Sequence, residues 1–306
     1  MSSPGISVVV CTCNRPDTLE MTLASLAAQD HPSFEVVVVD QSSDDRSREV
    51  VEDLAMMDGR FEYLRLETRG LSRAYNAGIA RARWPLVAFT DDDCVAPADW
   101  LASVERTFAA RPEIQLVYGQ VLEPADLDGI DYSAIPVFAI PERRVLDRRH
   151  GFVVAGMGAN FAARRNLFDE VGGFDEVLGG GGPLQSSQDF DFMYRVFRGG
   201  YSTLLEPDIK VAHYGYRDVS GWTATLRSYG VGVGGFFTKH ARLGDLFATR
   251  LLVEALCGAG ARTLKHFVML RETRTNHLVY MRALLEGVRG SFRFPIDAHG
   301  RVYRLG

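Results

Sequence analysis

Three consecutive aspartates, Asp91, Asp92 and Asp93, follow a short apolar run at 86–90. At neutral pH they would be three adjacent negative charges, and each would destabilise the ionised form of the others. A divalent cation relieves that repulsion, and carboxylate oxygens are the ligands that magnesium and manganese prefer. Because side chains alternate along an extended segment, Asp91 and Asp93 can share one face. The sequence therefore predicts a magnesium or manganese site here, with a cap of the following helix as the alternative.

Apolar, β-branched runs alternate with helical patterns in the first third of the chain, and this alternation sets the position of the aspartates. Four segments predict strands: 6–12, 34–40, 61–66 and 86–90; the first two are continuous apolar runs typical of buried strands. The alternation predicts an α/β fold with a doubly wound, mostly parallel sheet and helices on both faces. Ligands of such sheets bind at the carboxyl ends of the strands. Polar side chains stand at three of those ends: Thr12, Asp40 and Asp91.

The second half of the chain is less regular. We expect further strands at 114–123 and at 201–214, the second of which ends near His213, and a helix at about 187–197. Residues 124–150 are punctuated by proline and by charges, and they predict a loop over the site.

Seven motifs of the chain resemble those of the family 2 glycosyltransferases, which have a GT-A fold. They are VVVCTCNR (8–15), VVVVDQSSDD (36–45), GLSRAYNAGIARA (70–82), FTDDDC (89–94), GANFAARRNLFDEVGGFDE (158–176), QDFDFMYR (188–195) and His213. They follow the family's order from residue 6 to about 215. The resemblance implies a metal-dependent, inverting enzyme that moves a sugar from a nucleoside-diphosphate sugar to an acceptor hydroxyl. Its products would be cell-surface glycans, polysaccharides or glycolipids.

The resemblance also implies a role for each matching residue. Thr12 and Asp40 would hold the base and ribose of the nucleotide, and Arg15 and Arg73 would contact the nucleotide sugar. Asp91 and Asp92 would reach the ribose or waters around the metal. The metal that bridges the donor's diphosphate would bind Asp93, with Asp91 and His213 completing its ligands. Asp189 would be the general base. These assignments cover the following residues: Thr12, Arg15, Asp40, Arg73, Asp91, Asp92, Asp93, Asp189 and His213.

Each assignment also has a purely structural interpretation. Asp40 and Asp189 could cap helices, Arg15 and Arg73 could be surface charges, and His213 could be a sheet-edge histidine without a ligand. Four residues apart on one helix, the side chains of Asp191 and Arg195 are expected to form a structural ion pair rather than to take part in chemistry.

One position departs from the family pattern. Gln188 stands where these enzymes usually have a glutamate, so an amide that also donates hydrogen bonds replaces a carboxylate that only accepts them. The change removes a charge beside Asp189 and makes the choice of general base less secure. The glycine run at 179–182 that precedes it could close over a bound donor.

Two other functional classes remain open. A nucleotidyltransferase also uses metal-bound aspartates, but such enzymes usually carry a glycine-rich, basic phosphate loop after the first strand, where this chain has CTCNRPDT. A non-catalytic protein that only binds nucleotide sugars is the other alternative, and Gln188 favours it. A dinucleotide dehydrogenase is excluded, because no G-x-G-x-x-G motif follows the first strand.

The formal charge divides the chain into two parts. The whole chain carries −5, but residues 241–306 hold 11 Lys and Arg against 5 Asp and Glu, so they carry +6 and residues 1–240 carry −11. We therefore expect a glycosyltransferase domain at 1–240, with a nucleotide-binding half at 1–110 and an acceptor half at 111–240. A helical, basic extension follows at 241–306.

The extension combines apolar and basic side chains. The apolar ones are Leu251, Leu252, Leu256, Leu264, Phe267 and Val268, and the basic ones are Arg250, Arg262, Lys265, Arg271 and Arg274. This pattern is typical of a helix on an anionic membrane that holds a lipid-linked glycan acceptor. Packing on the catalytic domain or on a partner in a homodimer is the equal alternative. A sugar acceptor is also compatible, and no nucleic acid is expected as a partner.

Composition indicates where the protein works. Its mean hydropathy is −0.05 and no run approaches the roughly 18 apolar residues of a membrane span. The first residues lack the basic region and cleavage site of a signal peptide. The four cysteines, Cys11, Cys13, Cys94 and Cys257, have neither zinc nor disulfide spacing. We expect a cytoplasmic protein, with the inner face of the cell membrane as a peripheral location.

Overall fold

The computed structural model of the chain describes residues 5–126, 134–269 and 274–305. Within these residues the main sheet has nine strands: β1 (Ile6–Thr12), β2 (Phe34–Asp40), β3 (Phe61–Arg65), β4 (Leu86–Asp91), β5 (Cys94–Val95), β6 (Ile114–Leu122), β7 (Arg144–Leu146), β8 (Asn160–Arg164) and β9 (Ser202–His213). Two short strands pair near the end of the chain: β10 (Ile296–Asp297) and β11 (Val302–Tyr303).

Helices cover both faces of the sheet and extend beyond it. In the described part of the chain they are α1 (Pro16–Ala27), α2 (Arg46–Met57), α3 (Leu71–Arg81), α4 (Trp100–Ala110), α5 (Leu167–Val171), α6 (Gln188–Gly199), α7 (Val219–Arg242), α8 (Leu246–Val268) and α9 (Arg274–Ser291). None of these helices is both long enough and apolar enough to span a bilayer.

The strand order is β3-β2-β1-β4-β8-β6-β9-β5, with β7 paired to β9. Strands β3, β2, β1 and β4 run parallel, and β8 is antiparallel to both of its neighbours. The expected α/β fold with a mostly parallel sheet is confirmed. In the register of the sheet, Thr12 lies opposite Asp40 and Cys11 lies opposite Asp91. The polar strand ends singled out from the sequence therefore meet at one edge.

The structure differs from the sequence-based expectation in several segments, among them β5 and β8, which were not predicted, and the following two. Residues 134–150, within the expected loop, contain β7, because Val145 and Leu146 can pair with β9 and cover the core; residues 127–133 of that loop lie outside the described part of the chain. Helix α7 had no counterpart in the prediction. Its glycines and valines lower helix propensity, and tertiary packing overrides that preference.

Glycines let α7 approach its neighbours closely. A Cβ atom on Gly234 would collide with the carbonyl oxygen of Leu284 in α9, and one on Gly287 would collide with the backbone of α7. A Cβ on Gly232 would collide with Ser186, in the segment that leads into α6. Helix α7 therefore contacts both α9 and the start of α6 at backbone distance.

A cluster of buried polar side chains joins α6 to α7. We call it the buried charge cluster: Asp175, Asp191, Arg195, Lys239 and His240. Lys239 Nζ lies 2.7 Å from Asp175 Oδ2 and 2.6 Å from Asp191 Oδ1. Arg195 Nε lies 2.9 Å from Asp191 Oδ2, which confirms the expected ion pair. Burial lowers the pKa of His240 to about 4, so this ring is neutral near pH 7. The two negative charges of Asp175 and Asp191 are then balanced by the two positive charges of Arg195 and Lys239.

The basic extension packs on α7 as well as facing solvent. Leu251 and Leu252 pack against the main core, whereas Leu264 is 66% exposed. Arg250 pairs with Glu254 at 2.7 Å, and Arg262 and Lys265 are exposed. Arg271 lies outside the described residues, as do the side chains of Phe267, Val268 and Arg274. Helix α7 runs through the predicted domain boundary at 240, which stays a prediction.

We expect Lys239→Met to lower the free energy of unfolding by about 3–5 kcal/mol, because Asp175 and Asp191 lose the cation that they share in the interior. Urea unfolding followed by circular dichroism measures the change. Arg250→Met removes an exposed pair with Glu254 and should leave the unfolding midpoint unchanged. Equal midpoints for the two variants would contradict the importance of the buried charge cluster.

Candidate functional site

The end of β1 supplies the first side chains of the site. Thr12, the last residue of β1, donates a hydrogen bond through Oγ1 to Asp92 Oδ2 at 2.7 Å. Arg15 follows three residues later, immediately before α1, and its guanidinium lies 2.6 Å from Asp92 Oδ1 and 2.6 Å from Asp93 Oδ2. Two of the three consecutive carboxylates are thus bridged by one cation that is 39% exposed.

The pairing of β5 with β9 brings a histidine to the same place. Cys94 lies opposite His213 in this ladder, so the imidazole stands beside Asp93. His213 Nε2 is 3.2 Å from Asp93 Oδ1, and Nδ1 is 2.8 Å from the carbonyl oxygen of Pro136. A carbonyl oxygen can only accept, so Nδ1 carries a proton and Nε2 is directed at the carboxylate.

Asp93 and His213 fit a divalent cation. Asp93 Oδ1 is buried and accepts no well-aligned hydrogen bond from any described residue, His213 included. Neighbouring ligands of an octahedral ion, at about 2.1 Å each, lie about 3 Å apart, close to the 3.2 Å between Oδ1 and Nε2. Cys94 Sγ is also near, but burial raises the pKa of its thiol well above the usual value, and magnesium and manganese favour oxygen.

The three aspartates differ in charge state. Burial raises the pKa of Asp91 to about 7, with a further contribution from the charge of Asp93. Burial also raises the pKa of Asp92 to about 6, against the opposing effect of Arg15. For Asp93 burial acts in the same direction, but His213 and Arg15 outweigh it and lower the pKa to about 2. Asp93 is therefore the carboxylate that stays ionised at any pH near neutral.

Asp189 lies on the first turn of α6. Ser187, which precedes the helix, adopts a left-handed conformation with φ 68° and turns the chain into it. The backbone N–H of Gly158 donates to Asp189 Oδ2 at 2.9 Å, and that of Phe190 donates to Oδ1 at 2.9 Å. Burial outweighs these hydrogen bonds and raises the pKa of Asp189 to about 6. The carboxylate is thus fixed in direction and more basic than an ordinary aspartate.

One cavity of about 860 Å³ joins these groups. Its polar lining includes Arg15, Asp91, Asp93, Gln188, Asp189 and His213, and residues 135–138 cover one side, as expected of a loop over the site. A Cβ atom on Gly158 would lie 3.5 Å from Asp189 Oδ2 and 3.6 Å from Gln188 Nε2. The carboxylate and the amide therefore face the same point.

Not every residue singled out from the sequence lines this cavity. Asp40 is fully buried beside it and accepts hydrogen bonds from Ser42 N at 2.8 Å and from Tyr63 Oη at 2.9 Å. Arg73 Nε instead pairs with Glu176 at 3.1 Å. Asp92 contacts the lining residue Arg15, and Thr12 contacts Asp92; neither Thr12 nor Asp92 lines the open space.

The sequence reasoning missed much of the lining, including Tyr75, Arg217 and Tyr229. Tyr75 Oη lies 3.5 Å from Asp91 Oδ1 and 3.3 Å from the carbonyl oxygen of Gly158. Arg217 follows β9, and Tyr229 belongs to α7. Tyr75 sits inside a motif already recognised, so its position could have been found. The other two depend on how α7 packs, which no local pattern revealed.

Known proteins resemble the chain in sequence. The family model for glycosyl transferase family 2 matches residues 7–172, just over half of the chain. The glucosyl-dolichyl phosphate glucuronosyltransferase of Haloferax volcanii is 29% identical over 57% of this chain and 57% of its own length. The succinoglycan biosynthesis protein ExoO of Rhizobium meliloti is 33% identical over 57% of this chain and 52% of its own. The chain thus spans little more than half the length of these relatives.

Solved structures resemble the chain in fold. The mannosyltransferase PcManGT of Pyrobaculum calidifontis, in complex with GDP-Man and Mn²⁺, superimposes with a TM-score of 0.64 at 20% identity and covers 94% of this chain and 88% of its own. Residues 1–349 of TarS from S. aureus, in complex with UDP-GlcNAc, give a TM-score of 0.59 at 17% identity and cover 97% and 84%. The fold of this chain is accordingly the GT-A fold.

Proposed function

The chain belongs to glycosyl transferase family 2, and we propose that it transfers a sugar from a nucleoside-diphosphate sugar to an acceptor hydroxyl. The acceptor is a sugar or a lipid-linked glycan, and the product belongs to cell-surface glycan, polysaccharide or glycolipid synthesis. One observation carries the proposal: a single cavity contains both the Asp93–His213 pair and the basic carboxylate of Asp189. Donor and acceptor can therefore meet inside it.

The donor side is assigned to the acidic edge of the sheet. Asp93 and His213, with Asp91 beside them, are the groups that would hold a magnesium or manganese ion, and PcManGT in its complex with Mn²⁺ supports this assignment. When bound, the ion supplies Lewis-acid stabilisation of the leaving diphosphate. Arg15, which is partly exposed in the same cavity, contributes a second positive charge.

The nucleotide is assigned to the neighbouring strand ends. Thr12 and Asp40, which lie side by side in the register of β1 and β2, are assigned to the base and ribose, and their buried side chains must become accessible to take this role. Asp92, fixed by Thr12 and Arg15, borders the ribose. Arg73 must leave its ion pair with Glu176 to reach the donor.

Asp189 is assigned as the general base. Its carboxylate accepts the proton of the acceptor hydroxyl while that oxygen forms a bond to the anomeric carbon. The bond from that carbon to the diphosphate oxygen breaks, and the electron pair leaves with the nucleoside diphosphate. Attack from the face opposite the leaving group inverts the configuration. The N–H groups of Gly158 and Phe190 hold the carboxylate in one orientation, and Asp189 has no cation partner among the described residues.

The working location in this proposal is the inner face of the cell membrane, where lipid-linked acceptors reside. Helix α8 supports it, because it carries exposed apolar side chains such as Leu246 and Val253 and also the exposed basic side chains of Arg262 and Lys265. In this arrangement a membrane rather than a second subunit covers the basic extension.

Asp189→Asn should lower the transfer rate by about 10²–10⁴-fold, because an amide cannot take the proton of the acceptor hydroxyl. Donor binding should persist, since the amide lies outside the acidic edge. The measurement is the product released from labelled UDP- and GDP-sugars in the presence of Mn²⁺ and a glycan acceptor fraction.

The matched control is Asp169→Asn, an exposed carboxylate on α5, which should turn over like the wild type. Diphosphate release by the wild type supports sugar transfer. Release of pyrophosphate would instead identify a nucleotidyltransferase, and binding without either product would identify a non-catalytic protein. Wild-type turnover by Asp189→Asn would refute the choice of base.

The value of kcat/KM should fall as the pH drops through about 6, because burial raises the pKa of Asp189 to that value and only the ionised form accepts a proton. Gln188→Glu restores the usual glutamate of the family and places a second negative charge near Asp189, which disfavours ionisation. The acidic limb should then move to higher pH. A pH–rate profile whose limb is unmoved in Gln188→Glu would show that another group controls it.

Asp93→Asn should lower the affinity for Mn²⁺ at least about tenfold, since it removes the carboxylate that stays ionised and leaves His213 without its partner. Thermal unfolding with UDP or GDP, with and without Mn²⁺, measures the effect. At 100 times Kd the wild type should gain about 2.7 kcal/mol. Asp17→Asn, an exposed carboxylate on α1, is the control; equal stabilisation of the two variants would place the metal elsewhere.

A further inference from the structure

The cavity that contains Asp189 has a second, largely apolar wall. Helices α7, α8 and α9 provide it, with six residues that line the cavity: Trp222, Val233, Phe236, Phe237, Ala255 and Tyr280, of which Phe236 and Phe237 are buried within the wall. All of them lie beyond residues 7–172, the part that matches the family model. This wall is therefore a property of the acceptor half and of the extension, not of the nucleotide-binding half.

The wall is continuous with the reacting centre. Trp222, Thr225, Tyr229, Val233 and Phe236 recur at intervals of three and four residues, so they form one face of α7 about 20 Å long. Burial, with the charge of Asp189 as the next contribution, raises the pKa of Tyr229 to about 12. Tyr229 thus stands within the electrostatic reach of the proposed base, midway along this apolar face.

The chemistry of the wall does not match a sugar alone. Sugar hydroxyls need hydrogen-bonding partners in a dry site, and this wall offers mainly aromatic and aliphatic carbon. Apolar surface in contact with water is unfavourable by about 25 cal/mol per Å², so an apolar ligand group is stabilised there. The acceptor that fits both parts of the cavity has a hydroxyl near Asp189 and an apolar chain joined to the same molecule.

Helix α8 indicates the source of such a molecule. Ala255 on its inner side lines the cavity, while Leu246, Val253 and Leu264 on its outer side are 83%, 52% and 66% exposed. The same helix also carries the exposed Arg262 and Lys265, and exposed apolar and basic side chains together favour binding to an anionic bilayer. The outer side of α8 would then contact the membrane, while its inner side would line the cavity that receives the acceptor.

We propose that the acceptor is a membrane lipid whose hydrocarbon chain occupies the apolar wall between α7, α8 and α9 while its polar head presents the hydroxyl to Asp189. This assignment rests on the proposed sugar transfer and names the class of its acceptor. The side chains of the apolar wall would bind the hydrocarbon chain of the lipid. A larger side chain at Ala255 would block that hydrocarbon chain.

The probes are methyl, hexyl, octyl and decyl glucosides, each below its critical micelle concentration, with binding measured by isothermal titration calorimetry. For the wild type we expect one site, with affinity rising roughly twofold to fourfold per added methylene group. Ala255→Phe fills the wall and should abolish this dependence on chain length. Val253→Phe, two residues away on the exposed side of the same helix, should retain it.

Equal affinity for methyl and decyl glucoside would overturn the proposal, as would identical behaviour of Ala255→Phe and Val253→Phe. Tighter binding of p-nitrophenyl glucoside than of decyl glucoside would assign the wall to an aromatic group instead and would also overturn it. The double variant Arg262→Glu and Lys265→Glu should bind vesicles that contain phosphatidylglycerol less tightly than the wild type does. Its affinity for decyl glucoside should be unchanged. Undiminished vesicle binding would refute the membrane as the source.

Binding of a nucleoside diphosphate in the presence of Mn²⁺ distinguishes failure of the lipid-acceptor proposal from failure of the proposed sugar transfer. Ala255→Phe should bind UDP or GDP with wild-type affinity, because Ala255 belongs to α8 and not to the strand ends that carry the acidic groups. If the wild type binds none of UDP, GDP and TDP, sugar transfer itself is refuted whatever the alkyl series shows. If it binds one of them and the alkyl series is flat, only the lipid acceptor is refuted.

Discussion

Repulsion among three carboxylates at the end of β4 is the constraint around which the site is built. Asp92 and Asp93 are almost completely buried, so their charges cannot be left to water. Compensation comes from two directions: Arg15 arrives from the end of β1 and His213 from the end of β9. Both depend on strand pairing, since β1 lies beside β4 and β9 lies beside β5. The sheet order is therefore also an electrostatic arrangement.

Helix α6 shows how environment alone separates two identical side chains. Asp189 and Asp191 are two residues apart and both are buried. Asp189 receives only backbone N–H groups, and burial raises its pKa. For Asp191, burial acts in the same direction, but Lys239 and Arg195 outweigh it and hold its pKa well below the usual range. One carboxylate is available for proton transfer, and the other fixes the helix that carries it.

The sequence predicted the parts of the structure that local patterns encode. Buried strands, the acidic strand end and the Asp191–Arg195 pair follow from hydrophobic runs and from spacing. The pairing of Arg73 with Glu176 and the Pro136 carbonyl behind His213 depend on segments far apart in the chain, so no local signal announced them. There is a physical reason why the sequence did not predict helix α7. Its glycines are unfavourable in an isolated helix and become favourable only when α9 and Ser186 pack against them.

The buried charge cluster also connects the site to the last strand of the chain. The backbone N–H of Tyr303 donates to Asp175 Oδ2 at 2.8 Å, and Tyr303 Oη donates to the carbonyl oxygen of Gly235 at 2.7 Å. Contacts of such long sequence separation form late, because a large loop must close first. On the ribosome, a nascent chain can thus assemble its nucleotide-binding strands early, yet α6 reaches its final electrostatic surroundings only after residue 303 has emerged. Termination of translation a few codons before residue 303 would leave a folded donor-binding half next to an incompletely folded acceptor half.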